Sequence, residues 1–152
     1  MNELKVGIGE VKVEQGQTIL AAYGVGSCVV IILYCVEKQI GGLAHCLLPQ
    51  GNGTDLKYPK NAIAEMLKQM EARGALREKL TAKIVGGATM FEGFARQAIG
   101  KRNVKEAQDE LNGHNIPVIA EDVFGNWGRS IRFNLETGEV RVKSFTHGEK
   151  IL

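Results

Sequence analysis

Aromatic residues are scarce in this chain of 152 residues: one Trp, three Tyr and five Phe. Its core must therefore be filled by aliphatic side chains such as Val, Ile, Leu and Ala. An excess of either charge is also missing, because 19 Lys and Arg face 17 Asp and Glu for a formal charge of +2. With no concentrated basic run, the sequence offers no footprint for nucleic acid. Cysteine is limited to positions 28, 35 and 46. An odd, unpaired set excludes a disulfide scaffold, and a reducing, cytoplasmic setting is the simplest reading. The longest apolar run, 28–36, is far too short for the helix of about 20 residues that crosses a bilayer, so no direct membrane insertion is expected. The opening Met1-Asn2-Glu3-Leu4-Lys5 lacks a basic segment followed by an apolar one, so no cleaved secretion signal is expected either.

What is present is a 44% hydrophobic composition in a length that suits a single domain over residues 1–152. The organising stretch is Gly24-Val25-Gly26-Ser27-Cys28-Val29-Val30-Ile31-Ile32-Leu33-Tyr34. A turn loosened by glycine delivers a thiol to the start of a β-branched run that reads as a strand buried on both faces. After the polar break Glu37-Lys38-Gln39, Ile40-Gly41-Gly42-Leu43-Ala44-His45-Cys46 reads as a second strand. Returning antiparallel beside the first, it would bring His45 next to Cys28.

Around this pair the chain predicts an opening strand over 6–13 and a second over 18–23, so that the first third reads as a meander. Residues 49–55 are a loop by composition. A helix starts near Pro59, shows one apolar face in Ile63, Met66, Leu67 and Met70, and stops at Gly74. A strand over 80–85 runs into Gly86-Gly87, whose glycines shape a turn or a close backbone approach, since the lysine and hydroxyl of a phosphate loop are absent. After a loop over 92–100, Val104, Ala107 and Leu111 mark a second helix ending at Gly113 or Asn115. A short strand over 116–121 carries Pro117, which favours a sheet edge. Ile131, Phe133 and Leu135, then Val140 and Val142, alternate with polar residues across Thr137-Gly138 as a β-hairpin. The expected class is α/β: one domain, a mixed β-sheet covered by two helices, with a C-terminal hairpin.

Cys28 and His45 are the candidate catalytic residues. A thiol becomes a nucleophile when an imidazole or backbone donors favour its thiolate, and the turn before Cys28 can offer amide N–H groups to an oxyanion. The bland alternative is that both are packing residues. Strand parity points Cys35 and Cys46 away from the face that Cys28 and His45 would share. A zinc site of Cys28, Cys35, His45 and Cys46 is the rival reading, with spacings that match neither a knuckle nor a finger. His114 and His147 have no nucleophile near them in sequence.

The chain resembles the CheD family of chemoreceptor glutamine deamidases along nearly its whole length. The markers are Gly26-Ser27-Cys28-Val29, Leu33-Tyr34, Gly41-Gly42-Leu43-Ala44-His45, Leu48-Pro49 and Lys57-Tyr58, then Lys83-Ile84-Val85-Gly86-Gly87-Ala88, Met90-Phe91, Ile99-Gly100, Arg102-Asn103, Ala120-Glu121-Asp122, Gly128-Arg129 and Thr137-Gly138. The resemblance implies a three-layer α/β/β fold and hydrolysis of glutamine side chains on methyl-accepting chemoreceptor cytoplasmic helices. It also implies Cys28 as nucleophile, His45 as general base and acid, and a CheC-type phosphatase as partner, with no metal, nucleotide or redox cofactor. The family's third site residue, a threonine six positions before the cysteine, is Ala22 here. The histidine must then be oriented by another group: a backbone carbonyl, a water, or one of Ser27, Tyr23 and Thr89. A non-catalytic adaptor that binds the phosphatase or the receptor, and a methylesterase acting on receptor glutamate esters, are the alternative functions. The pair is expected at the mouth of a shallow cleft.

Overall fold

Residues 29–33 are all buried, so the strand that holds them needs cover on both sides, and it has it. In the computed structural model, which describes residues 1–90 and 98–152, the described strands form two five-stranded sheets with helices on one outer face. The elements in chain order are β1 (Asn2–Lys5), β2 (Val11–Gln15), β3 (Thr18–Val25), β4 (Val29–Cys35), β5 (Ile40–Cys46), α1 (Pro59–Ala72), a 3-10 turn (Arg77–Lys79), β6 (Thr81–Gly86), α2 (Ile99–Gly113), β7 (Val118–Val123), β8 (Arg129–Asn134), β9 (Val140–Ser144) and β10 (Gly148–Ile151).

One sheet runs β1-β3-β8-β9-β10 and the other β2-β5-β4-β6-β7. Each mixes parallel and antiparallel pairs, with β1–β3 and β6–β7 parallel. The central sheet separates two apolar layers by the two-residue period of its strands. Val29, Ile31, Leu33 and Cys35 pack with Ile63, Met66, Leu67 and Met70 of α1 and with Val104, Ala107 and Leu111 of α2. Val30 and Ile32 pack instead with Leu20, Ile131 and Phe133 of the second sheet. Each fully buried Val, Ile, Leu or Phe contributes about 1.5–3 kcal/mol, so the layered α/β/β arrangement is sustained by aliphatic burial on both faces.

The single α/β domain, its two described helices and its C-terminal hairpin are those the sequence predicts. The hairpin pairs Phe133 with Val140. α1 starts at Pro59 and is followed by Gly74 at φ +96°. Pro117 precedes β7, which is an edge strand.

Other expectations need correction. Of the strand foreseen over 6–13 only 11–13 is strand, as the start of β2; residues 6–10 form the turn from β1 into the other sheet, with Gly9 at φ +79° and the Gly7 amide bonded to Glu10 Oε1 at 2.6 Å. The first third is therefore not a meander: β2 pairs with β5, and β3 with β1 and β8. The residues after the hairpin, given no element in the sequence reading, form β10 against β9, held by backbone bonds rather than by an apolar face. Most of the loop expected over 92–100 lies outside the described residues, and α2 already begins at Ile99. Among the described residues, no helix is long and apolar enough to cross a membrane.

Candidate active site

Cys28 sits at the end of a turn fixed from three directions. β3 leaves its register with β8 between Ala22 and Val25, and Gly24 takes φ +64°. The carbonyls that follow are all engaged. Ala88 N–H donates to Gly26 O at 3.0 Å, Asn103 Nδ2 donates to Ser27 O at 2.9 Å, and Gly87 N–H donates to Cys28 O at 2.8 Å. Gly86 makes this possible: at φ +113°, a Cβ there would collide with the Cys28 carbonyl oxygen. The glycine pair after β6 therefore serves backbone approach to the Cys28 turn.

His45 is held by the strap between β1 and β2. Its backbone bonds to Gly9 N–H at 2.8 Å and to Glu10 O at 3.2 Å, and its ring Nδ1 lies 3.2 Å from Val6 O. A carbonyl oxygen only accepts, so the neutral ring carries its proton on Nδ1 and presents the lone pair of Nε2. Nε2 is buried and has no hydrogen-bond partner among the described residues. The Val6 carbonyl thus orients the ring, a task the resemblance gives to a threonine at the position of Ala22. Val6 N–H bonds to Ala21 O at 2.7 Å, which fixes that carbonyl beside Ala22. Tyr23, considered as a substitute, instead donates its hydroxyl to Glu3 at 2.8 Å on the surface.

The strand register relates the two side chains. His45 is directly opposite Val30 and shares its face, and Cys28, one residue before the β4–β5 ladder begins, packs in the layer that covers that same face. That face is the inter-sheet layer, where Cys28 packs with Val6, Ala22, Val30 and Val85. Cys35 and Cys46 belong to the helix-facing layer, so strand parity prevents the four-residue zinc set from converging. Among the described residues, no three His, Cys, Asp or Glu side chains gather in a way that could hold a metal ion. His114 meets Arg77, and His147 stacks on Trp127 with ring centroids 3.6 Å apart, both away from the thiol's layer.

Burial sets the charge state of the pair. It pushes the Cys28 thiol above its ordinary range, opposed by the residue's own backbone N–H, and it pushes His45 below the ordinary imidazole value, opposed by the Val6 carbonyl and the charge of Glu10. Both directions favour the uncharged form, the thiol of Cys28 and the neutral imidazole of His45. The Cys46 thiol is driven much further upward by burial and then by Cys28.

The expected shallow cleft is not where the pair lies: Cys28 is 6% and His45 2% exposed, because the Val6–Glu10 strap and the turn after β6 cover them. A cavity of about 1020 Å³ opens nearby between the Gly24 turn, Trp127, Arg129 and the Phe145–His147 turn, and neither Cys28 nor His45 lines it. Sequence reading missed Val6, whose contribution is a backbone atom, and Asn103. Asn103 did leave a signal, since it interrupts the apolar stripe Gly100, Val104, Ala107 and Leu111 at helical spacing.

Thiol, imidazole and fold together describe an α/β protein with a buried cysteine and histidine on one sheet face. A profile described as CheD chemotactic sensory transduction matches residues 47–144. Full-length relatives extend the match across Cys28 and His45. A probable chemoreceptor glutamine deamidase CheD of Pyrococcus horikoshii is 40% identical over 158 residues, covering 99% of this chain and 98% of that protein. A probable CheD 2 of Geobacter metallireducens is 44% identical, covering 93% of each. The chemoreceptor glutamine deamidase CheD of Thermotoga maritima is 37% identical, covering 96% of this chain and 94% of that one. The chain belongs to the CheD family of chemotaxis proteins.

Proposed function

We propose that this chain converts glutamine side chains on the cytoplasmic helices of chemoreceptors to glutamate, with Cys28 as nucleophile and His45 as general base and acid. The observation that carries the reading is the buried Nε2 of His45, without a partner among the described residues, on the face whose covering layer holds the thiol. Family membership supplies the substrate class.

The uncharged forms that burial favours imply that proton transfer accompanies attack rather than precedes it. Sγ bonds to the carboxamide carbon as its proton passes to Nε2. The oxyanion that develops meets backbone N–H groups of the Cys28 turn, where one well-placed donor is worth about 3 kcal/mol. The imidazolium then protonates the departing nitrogen, ammonia leaves, and a thioester remains. His45 next removes a proton from water, whose oxygen displaces the thiol and yields glutamate. This sequence draws on the chain's own groups alone. A CheC-type phosphatase is the partner proposed to regulate it.

The test is mass analysis of receptor peptides after incubation with the full chain. Each modified glutamine gains about 1 Da, and Cys28→Ser should reduce the rate at least 100-fold, because a hydroxyl at this position lacks thiolate chemistry. Undiminished conversion by Cys28→Ser would remove the assigned nucleophile. The near-complete burial of Cys28 favours a second reading, an adaptor that binds phosphatase or receptor without chemistry. Phosphatase binding with unchanged receptor mass would support it. Release of methanol rather than ammonia would identify a methylesterase.

A further inference from the structure

The last rung between β4 and β5 pairs Val29 with Cys46. Beyond it the strands part: Leu47 and Leu48 both turn their N–H groups to Lys57 O, at 2.9 and 3.2 Å, while the Cys28 carbonyl goes to Gly87. Cys28 lies one residue beyond this rung and His45 one residue inside it, so their separation depends on how far the strand ends splay. One side chain ties those ends together. Asn103, on the buried face of α2, donates from Nδ2 to Ser27 O at 2.9 Å and to Leu47 O at 3.1 Å.

Three features say this bridge is specific. Its amide orientation is fixed, because a flipped amide would aim an oxygen at two carbonyls. Asn103 is 0% exposed, so water does not compete for the carbonyls. Its Oδ1 is buried without a partner among the described residues, a cost that an apolar side chain on this stripe would avoid. Packing alone therefore does not account for an amide here; its two donor bonds do.

We propose that Asn103 is a positioning residue for the deamidation site, clamping the turn that carries Cys28 to the strand end that carries His45. It touches neither reacting group and acts through the backbone on each side. This inference rests on the Cys28–His45 reading. It predicts that loss of the amide uncouples thiol from imidazole without altering how substrate is held.

The test uses the full chain, with Asn103→Leu to fill the volume and Asn103→Ala where leucine disturbs packing. Expected results are a kcat about 100-fold lower, the scale of a misplacement near 1 Å, with KM within about twofold. A second readout needs no substrate: the alkylation rate of Cys28 by iodoacetamide at pH 7.5, with Cys35→Ala and Cys46→Ala present throughout. In an otherwise unaltered chain His45→Gln slows alkylation. In the Asn103→Leu chain His45→Gln adds nothing, since the coupling is already lost. The proposal is overturned if Asn103→Leu keeps kcat, or if His45→Gln slows alkylation by the same factor with and without Asn103, whatever happens to Tm. A chain that leaves receptor glutamine unchanged yet loses its His45-dependent alkylation with Asn103 would sink the deamidase reading and keep the clamp.

Discussion

At the scale of single residues, the site depends on what two buried groups are prevented from doing. The thiol of Cys28 is held protonated by burial, and the imidazole of His45 is held neutral by burial with its one proton committed to the Val6 carbonyl. These directions give pH behaviour of definite sign. A base must be unprotonated to act, and a depressed imidazole value keeps His45 neutral further into acid. The acidic limb of kcat/KM for receptor deamidation is therefore expected below the ordinary imidazole value of about 6.5. On the alkaline side, the raised thiol value places the midpoint of Cys28 alkylation in the free protein above the ordinary thiol range. A rate profile with its acidic limb above the ordinary imidazole value would contradict the buried neutral pair. The same residue-level view explains why Ala22 does not leave His45 unoriented: Nδ1 has one proton to donate, and a main-chain oxygen takes it.

At the scale of elements, Cys28, the proposed nucleophile, is placed by turns. β4 is rigid because both its faces are covered, but the position of Cys28 just before it is set by the chain after β6. Gly86 is the critical contact. Its φ of +113° suits glycine alone, and any Cβ meets the Cys28 carbonyl. Gly86→Ala is expected to destabilise the chain by more than 1 kcal/mol, beyond the usual glycine-to-alanine effect, because strain and collision add. It should also lower kcat, since relief of the collision must move the Cys28 turn. Thermal unfolding and receptor deamidation measured on the same preparation check both. A Gly86→Ala chain with unchanged Tm and rate would show that the turn does not set the position of Cys28. Gly41 and Gly42 work differently: a Cβ at Gly41 would meet Phe133 of the other sheet and Leu135 just after it, and one at Gly42 would meet Met66 of α1 at 3.1 Å. Successive glycines thus let β5 receive a sheet on one side and a helix on the other.

For the whole molecule, the two sheets are joined at one end by an ion pair as well as by apolar packing. Arg129 on β8 has a side chain with no exposure, donates from Nε to Asp122 of β7 at 3.1 Å, and has its guanidinium carbon 4.9 Å from the centre of the Trp127 ring. Lys150 of β10 reaches the second Asp122 oxygen at 3.2 Å. Removing one member of such a pair leaves the other charged and buried. Asp122→Ala is therefore expected to lose about 3–5 kcal/mol. In a chain of this length that corresponds to a Tm drop of roughly 10 °C. The double variant Asp122→Ala with Arg129→Met should recover much of the loss, because no charge is then stranded. Calorimetry on the two variants separates these outcomes; a double variant no more stable than the single one would mean the pair acts through packing rather than charge.

Most strands, both described helices and the parity that sets Cys28 and His45 against Cys35 and Cys46 were legible in the residues, since each follows from a local period or a turn signal within a short window; β1 and β10 were not. The sequence by itself determined which side chains could share a face. It did not determine the division of strands between two sheets: alternation records that a strand has a buried side but not which layer buries it, and β1 and β2 differ in partner rather than in pattern. Nor could it supply the groups that complete the site. Val6 and Asn103 lie 39 residues from His45 and 76 from Ser27, and hydrogen bonds over such separations exist only once the layers have packed. Tertiary structure decided how the thiol and imidazole are held, because that depends on where a main-chain oxygen and a helix amide arrive in space.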